Sequence, residues 1–296
     1  MRKLKPKTKT FAMAIDYFIL HCKAKGLSPR TVETYQAHLE AFRDFAGNVP
    51  LESITEEDLQ AYILARQPDV SPATINNHLR SLSVFLNYHK HSVPINKVKE
   101  KRKVIEPFSD MQIKLLLKQP DKKTFPGLRD FTLIYLLLDT GIRIQEALNI
   151  CKEDIKEGFI KVTGKGNKER VVPIGQACRN ALNEYLLAVE DISPDKPIFV
   201  STYDNQLTRD RARRRLRLYS DKAGITGIRV SPHTFRHTFA KFYLLNGGDM
   251  FTLQKMLGHE SLEMVRRYVE MLSGDVKEQH RKYSPLDSLV KKKRKL

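Results

Sequence analysis

The chain has 296 residues, of which 41% are hydrophobic and 29% charged, and its formal net charge is +18. This length allows about two domains with ordinary hydrophobic cores. The excess of positive charge favours a polyanionic partner. Cys22, Cys151 and Cys178 are too widely spaced for a C-x-x-C site or a disulfide framework. Because no apolar run is long enough for a signal peptide or a bilayer span, we expect a soluble cytoplasmic protein.

Residues 1–95 are predicted to form a small helical domain. Ser28 and Ser71 each precede a proline, which is typical of an N-cap followed by the first helical position. Thr55 and Asp58 have the spacing of a capping box, with Asp in place of the usual Glu. Apolar residues follow each start at helical spacing, so four or five short helices are expected.

The last of these helices carries a polar face that is a candidate DNA-binding surface. We assign Asn76, Asn77 and Arg80 to it, because amide and guanidinium groups hydrogen-bond base edges and phosphates in a major groove. A solvated helix face is the alternative interpretation. No acid/base cluster occurs in residues 1–95, so this domain is expected to bind rather than to catalyse.

A basic segment, residues 96–106, is predicted to link the two domains. It includes the run NKVKEKRKV, lacks hydrophobic periodicity and is flanked by Pro94 and Pro107. It is either a flexible spacer or a segment that follows a phosphate backbone.

Residues 107–283 are predicted to hold the chemistry. A helix buried on all sides is expected from Asp130 to Asp139, and Gly141 ends it. Arg143 then stands beside a glycine turn at the start of the next helix, where backbone donors also favour an anion. Glu146, one turn further on, is placed to hold the Arg143 guanidinium, although such a pair is often an ordinary helix ion pair.

Two antiparallel strands are predicted within residues 158–174, joined by a glycine-containing turn. Lys165 lies at the tip, where it can follow a phosphate and donate a proton to a departing oxygen. The alternative is a polar hairpin turn without function. The pattern G-x-x-x-x-G-K-[ST] is absent, so ATP use is not expected.

An arginine-rich helix is predicted within residues 208–222. Its arginines cannot all share one face, and we select Arg211 and Arg214 as DNA contacts. His233 and His237 have metal-ligand spacing, but Arg236 between them would repel a cation. H-E-x-x-H is also absent, so no metal site is expected.

A set of reactive side chains is concentrated between residues 231 and 270. His233 and Arg236 are one helical turn apart, and Tyr268 stands nine residues after His259. A hydroxyl, two imidazoles and a guanidinium can supply a nucleophile, acid/base groups and anion stabilisation, which suits attack on a phosphate diester. Tyr283 is a rival nucleophile, but it has no histidine at the matching distance.

These residues, in this order, resemble the tyrosine recombinase or lambda-integrase-like family. The resemblance rests on TGIRIQEAL, TGKGNKERVVPI, HTFRHTFA, LGHES and RRYVE, and LSPRTVETYQAHLEAF also looks like the family's core-binding domain. Gln145 departs from the small residue common in Xer-type members, which weakens a subfamily assignment. The matching catalytic positions are Arg143, Lys165, His233, Arg236, His259 and Tyr268.

The resemblance implies a mechanism in which Tyr268 attacks the scissile phosphate and leaves a 3′-phosphotyrosyl bond and a free 5′-hydroxyl. Arg143 and Arg236 would bind the non-bridging oxygens, and Lys165 would protonate the 5′-oxygen. His233 would assist proton transfer from the phenol.

Two further roles follow from the same resemblance. His259 would hydrogen-bond the phosphate, and Glu146 would support Arg143. No cofactor is implied, since the covalent bond conserves the energy of the diester.

The implied fold is mainly α with a small antiparallel sheet: an N-terminal helical, SAM-like core-binding domain and a C-terminal α+β catalytic domain. The implied partners are a double-stranded DNA recombination site and a homo-tetramer, or a hetero-tetramer with a sister recombinase, on two duplexes, associated with the bacterial nucleoid. Residues 284–296 would be a tail exchanged between protomers, with a basic end. A type IB topoisomerase-like enzyme and a non-catalytic DNA-binding regulator are the alternative functions.

Overall fold

The computed structural model describes residues 9–100, 106–164, 166–201, 205–258, 280, 284 and 286. The chain divides into two compact units, Met1–Lys103 and Val104–Leu296. Each unit has its own hydrophobic core. Within the described ranges, no helix combines the length and the apolar character that crossing a bilayer requires.

The first unit is built from short helices whose starts are determined by local capping. Ser28 and Ser71 accept hydrogen bonds from backbone N–H groups three residues on, and Thr55 and Asp58 form a capping box. The three predicted helix starts are therefore confirmed. The described α-helices of this unit are α1 (Phe11–Ala24), α2 (Pro29–Ala46), α3 (Glu56–Arg66) and α4 (Pro72–Tyr88).

Aromatic rings fill the centre of the first unit. The ring centroid of Phe11 lies 5.4 Å from that of Phe42 and 5.1 Å from that of Phe85. Tyr62 packs edge-on against Phe42 at 5.1 Å. Because these rings come from all four helices, their burial holds the helices in one bundle.

Two histidines, His78 buried and His38 half-buried, lie beside this aromatic core. The rings of His38 and His78 stack at 4.1 Å, and His78 Nδ1 is hydrogen-bonded to the Tyr62 hydroxyl at 2.7 Å. Burial, followed by the charges of His38 and Arg66, lowers the pKa of His78 to about 4. Burial also lowers the pKa of His38. Both imidazoles are therefore neutral at pH 7.

Asn76 does not lie on the exposed face to which the sequence analysis assigned it. Its side chain is 6% exposed, accepts a hydrogen bond from the Val98 N–H (2.9 Å) and donates one to the Val98 carbonyl (2.9 Å). Ile95 and Val98 pack against the core of the first unit. The assignment of Asn76 as a DNA contact is thus corrected, because the start of the basic segment covers it.

The second unit consists of helices around one small sheet. Its described α-helices are α5 (Asp110–Leu117), α6 (Phe125–Thr140), α7 (Ile144–Leu148), α8 (Gln176–Leu187), α9 (Arg209–Lys222), α10 (Pro232–Leu245) and α11 (Met250–Leu257).

The sheet contains the predicted hairpin and one additional strand. Strands β2 (Phe159–Thr163) and β3 (Glu169–Pro173) pair antiparallel, with Thr163 opposite Glu169. The predicted pair of antiparallel strands within residues 158–174 is confirmed. Strand β1 (Ile155–Lys156) adds to β2 and was not predicted, because two residues are too few to show alternation.

Helix α6 is the central helix of the second core. Leu133, Ile134, Leu136 and Leu137 are fully buried, as predicted, and α6 ends at Gly141 with φ of 61°. A Cβ at Gly141 would lie 2.3 Å from Phe239 Cδ1, so both the backbone conformation and the packing require glycine.

Candidate active site

Arg143 is presented at the turn between α6 and α7. Its backbone N–H donates to Glu146 Oε2 at 2.8 Å, and its guanidinium donates to Glu146 Oε1 at 2.9 Å. The Arg143 side chain is 44% exposed, whereas that of Glu146 is 5% exposed. Glu146 therefore fixes the base of a guanidinium whose outer face is open to an anion.

A second arginine, Arg170 on β3, shares the same carboxylate. Its guanidinium donates to Glu146 Oε1 at 3.1 Å and Oε2 at 2.8 Å. Burial acts to raise the pKa of Glu146, but hydrogen bonds and charge from Arg170 and Arg143 outweigh it and hold the pKa below its usual value. Glu146 is therefore a buried anion between two cations.

Arg170 was missed by the sequence analysis, although β3 contains a signal for it. The strand alternates, and Arg170 shares a face with the buried Val172. A charged residue on the inward face of an amphipathic strand requires a buried partner. The sequence does not say which residue that partner is.

Arg236 is buried and bound to two chain segments that are distant in sequence. It lies on α10, which begins with Ser231 as N-cap and Pro232 at the first position. Its guanidinium donates to the carbonyl of Gly141 at 2.8 Å and to that of Leu257 at 2.6 Å. Arg236 thus ties the end of α6 and the end of α11 to α10.

Three guanidinium groups bind consecutive carbonyls at the C-terminus of α11. Arg170 donates to Met256 at 2.8 Å, Arg236 to Leu257 at 2.6 Å and Arg143 to Gly258 at 3.5 Å. The last carbonyls of a helix lack intrahelical partners and form the negative end of its dipole. This helix end therefore gathers the three arginines in one place.

His233 lies one turn before Arg236 on α10 and is exposed. Partial burial, followed by the charges of Arg213, Arg236, Arg143 and Arg209, lowers the pKa of its imidazole. The ring is therefore neutral at pH 7 and able to accept a proton. This arrangement combines a neutral base with several fixed cations and suits a reaction at an anionic phosphorus centre.

The structure thus brings together Arg143, Glu146, His233 and Arg236 of the predicted set. Lys165, His259 and Tyr268 lie outside the described residues, as does most of the predicted tail 284–296.

The remaining predicted DNA contacts are on the surfaces of the two units. Asn77 and Arg80 are exposed on α4 and hydrogen-bond each other at 3.1 Å. Arg211 and Arg214 are exposed on α9. All four side chains are accessible, and their role in DNA binding stays a prediction.

Both halves of the chain match known families. Residues 106–273 match the Phage integrase family, and residues 15–92 match the family described as Phage integrase, N-terminal SAM-like domain. The chain belongs to the phage integrase family. The helical first unit and the mainly helical second unit with its small sheet agree with the predicted fold class.

The chain is similar to tyrosine recombinases over almost the full length of those proteins. Tyrosine recombinase XerC of Thermodesulfovibrio yellowstonii is 32% identical over 276 residues, which cover 87% of this chain and 91% of the relative. The crystal structure of XerA recombinase is 27% identical, with a TM-score of 0.54, over 93% of this chain and 99% of that one.

A lambda integrase tetramer bound to a Holliday junction shares the fold, with a TM-score of 0.74 at 17% identity over 89% of this chain and 78% of that one. The family match and the similarity to tyrosine recombinase XerC show that the chain is a tyrosine-type site-specific recombinase.

Proposed function

We propose that this recombinase cuts and rejoins a specific double-stranded DNA site through a covalent bond between Tyr268 and a 3′-phosphate. The observation that supports it most strongly is the hydrogen bond from Arg236 to Gly141, 95 residues away in the chain, which brings Arg236 to the turn that presents Arg143. Two guanidinium groups so placed can bind the two non-bridging oxygens of one phosphate.

In the proposed cleavage step the phenol oxygen of Tyr268 attacks phosphorus and the bond from phosphorus to the 5′-oxygen breaks. His233 accepts the phenol proton, and Lys165 donates a proton to the leaving 5′-oxygen. Arg143 and Arg236 stabilise the charge of the pentacoordinate transition state, and His259 hydrogen-bonds the phosphate. Rejoining reverses these transfers, and the phosphotyrosyl bond conserves the energy it needs.

The lowered pKa of His233 is consistent with the role of base. An unperturbed tyrosine has a pKa near 10, so Tyr268 needs a proton acceptor at neutral pH. Because the pKa of His233 is lowered, its imidazole stays neutral at pH values somewhat below the usual histidine pKa of 6.5. It therefore remains available as a proton acceptor in mildly acidic solution. Cleavage should therefore persist below pH 6.5 until His233 becomes protonated.

The proposed assembly is a tetramer on two duplexes, either of this chain alone or with a sister recombinase, located at the bacterial nucleoid. The tetrameric state of the lambda integrase neighbour supports it. In this proposal Asn77 and Arg80 of the first unit and Arg211 and Arg214 of the second contact DNA. The tail 284–296 would pack against a neighbouring protomer.

The experiment uses nicked duplexes prepared from DNA that flanks the gene. A nick close to the cleavage point leaves only a short piece of DNA that carries the free 5′-hydroxyl after cleavage. This piece dissociates, so rejoining is prevented and the covalent adduct accumulates. A denaturing gel separates the adduct from free protein. Sequencing the trapped DNA defines the site. Tyr268→Phe should abolish the adduct and leave DNA binding within about twofold, whereas the matched variant Tyr283→Phe should form it normally.

Persistence of the adduct in Tyr268→Phe would remove this residue from its role. Relaxation of supercoiled plasmid irrespective of sequence would favour a topoisomerase-like enzyme, and binding without any adduct would favour a regulator.

A further inference from the structure

The guanidinium of Arg170 is bound by groups from two other segments of the second unit. Nη1 and Nη2 donate to the two carboxylate oxygens of Glu146 at 3.1 and 2.8 Å, and Nε donates to the Met256 carbonyl at 2.8 Å. The Arg170 side chain is only 15% exposed. Since Glu146 lies on α7 and Met256 on α11, each nitrogen of Arg170 ties one of these helices to β3.

The carboxylate of Glu146 divides its hydrogen bonds between Arg170 and Arg143. Oε1 accepts from Nη1 of both side chains, at 3.1 and 2.9 Å. Oε2 accepts from Arg170 Nη2 and from the backbone N–H of Arg143, each at 2.8 Å. The two-point contact with Arg170 fixes the plane of the carboxylate, because both of its oxygens are held by one planar group. The position of the oxygens that bind Arg143 therefore depends on Arg170.

Two glycines let the backbone approach Arg170 closely. A Cβ at Gly164 would lie 3.4 Å from Arg170 Nη1, and a Cβ at Gly258 would lie 3.2 Å from Arg170 Cζ and Nε. Lys165 is the next residue in the chain after Gly164. His259 is the next residue after Gly258. Arg170 thus contacts the two segments that lead directly to these predicted catalytic residues.

We propose that Arg170 is a positioning residue of this active site, which orients Arg143 through Glu146. The same guanidinium holds the backbone that leads to Lys165 and to His259. This inference rests on the proposed function, which gives these residues their roles in cleavage. Because its nitrogens already bind acceptors within the protein, Arg170 acts on the reaction through its neighbours and not by touching DNA. A displacement of about 1 Å in such a site can slow a reaction about 100-fold.

The first experiment compares Arg170→Lys with Arg129→Lys. Lysine keeps the charge but has one nitrogen in place of three, so the two-point contact with Glu146 is lost. Arg129 is also a buried arginine, bound to Asp130 and to the Val200 carbonyl. It lies near the start of α6, whereas the candidate active site lies beyond the end of that helix. Arg129→Lys therefore controls for the loss of a buried guanidinium.

Both variants are measured on the nicked duplex that traps the wild-type adduct. Arg170→Lys should form the adduct about 10- to 100-fold more slowly in a single turnover, with its affinity for DNA within about twofold of wild type. Arg129→Lys should lose stability in urea but should react at close to the wild-type rate at urea concentrations below its unfolding transition.

The second experiment asks whether the defect arises at the arginine that binds the phosphate. A methylphosphonate at the cleavage position replaces one charged oxygen by a neutral methyl group, so less negative charge has to be stabilised in the transition state. A misplaced Arg143 then matters less. The ratio of the wild-type rate to the rate of Arg170→Lys should therefore fall at least about threefold on this substrate. A general loss of structure would leave this ratio the same on both substrates.

A second variant keeps Arg170 and decides the question if Arg170→Lys does not fold. Gly164→Ala adds a Cβ 3.3 Å from Glu146 Oε1, which displaces the carboxylate by a few tenths of an ångström. Adduct formation should slow about three- to fivefold. The matched control is Gly175→Ala, just beyond the other end of β3, whose Cβ would lie 3.1 Å from Asp139 Oδ1. This control should react at the wild-type rate.

Equal adduct rates in Arg170→Lys and Arg129→Lys, or a defect of Arg170→Lys that is the same on both substrates, would overturn this inference and leave the proposed function intact. If Arg170→Lys does not fold, equal rates in Gly164→Ala and Gly175→Ala would have the same consequence. Absence of any adduct with the wild-type protein would overturn the proposed function, and this inference with it.

Discussion

The two units accommodate the titratable side chains in their interiors in different ways. In the first unit, His78 is buried and His38 half-buried, and both rings are neutral, since an imidazole can lose its proton. In the second unit, Arg236 is buried and Arg170 is mostly buried. A guanidinium does not lose its proton in proteins, so these side chains need Glu146 and helix-end carbonyls as partners. The first unit can thus bury neutral rings, whereas the candidate active site of the second unit keeps its cations charged.

The largest expected effect follows from removing Glu146, the buried anion that binds Arg143 and Arg170. Glu146→Gln leaves Arg170 buried without its carboxylate and frees Arg143. Breaking a buried ion pair costs about 3–5 kcal/mol. Urea denaturation should show this loss, and adduct formation should fall about 100-fold because Arg143 is no longer fixed.

The matched control is Glu169→Gln on β3, next to Arg170, where the Lys161–Glu169 pair is exposed. An exposed pair contributes about 1 kcal/mol or less. Equal losses in the two variants would contradict the claim that Glu146 holds the site.

The second prediction concerns the turn whose carbonyl binds Arg236. Gly141→Ala places a Cβ 2.3 Å from Phe239 and requires a left-handed conformation, so the free energy of unfolding should fall by about 3 kcal/mol. Gly224→Ala has the same backbone conformation but nothing within 4 Å of the new Cβ. Gly224→Ala should therefore lower the free energy of unfolding by only about 1 kcal/mol. Thermal denaturation of the two variants measures the difference, which is the contribution of the clash with Phe239. Similar losses of stability in both variants would show that this clash contributes nothing.

The third prediction tests the neutral histidines of the first unit. Between pH 6.5 and 4 an unfolded histidine binds a proton that folded His78, with its pKa of about 4, does not bind. The contribution of His78 to the free energy of unfolding is therefore fully present above pH 6.5. It decreases as the pH falls towards 4, by up to about 3 kcal/mol. Hydrogen exchange in residues 11–88 of the full chain measures this decrease.

His78→Gln should flatten this pH dependence, since the titrating group is gone. An unchanged slope in the variant would assign the effect to other groups.

The smallest effect is expected where the basic segment joins the first unit. Asn76→Ala removes both hydrogen bonds to Val98 and should cost about 1–2 kcal/mol. Exchange of the Val98 amide proton should become faster. Asn77→Ala, at the exposed neighbouring position, should leave that amide proton unaffected, and comparable acceleration in both variants would refute the role of Asn76.

The sequence by itself determined the local structure and the identity of the reactive groups. Ser28, Thr55, Ser71 and Ser231 cap helices within three residues of themselves, so their effect can be read without the fold. The family resemblance, and with it Arg143, His233 and Arg236, likewise depends on short motifs in order along the chain.

Only the tertiary structure decided which polar side chains meet. Arg170 reaches Glu146 across 24 residues, and Asn76 is covered by a segment 22 residues away. The rotational setting of α9 depends on the hydrogen bond from Arg215 to Asp130, which lies on another helix. A helical or strand pattern gives the face on which a residue lies, but the partner of that face comes from packing between distant segments, which no local pattern encodes.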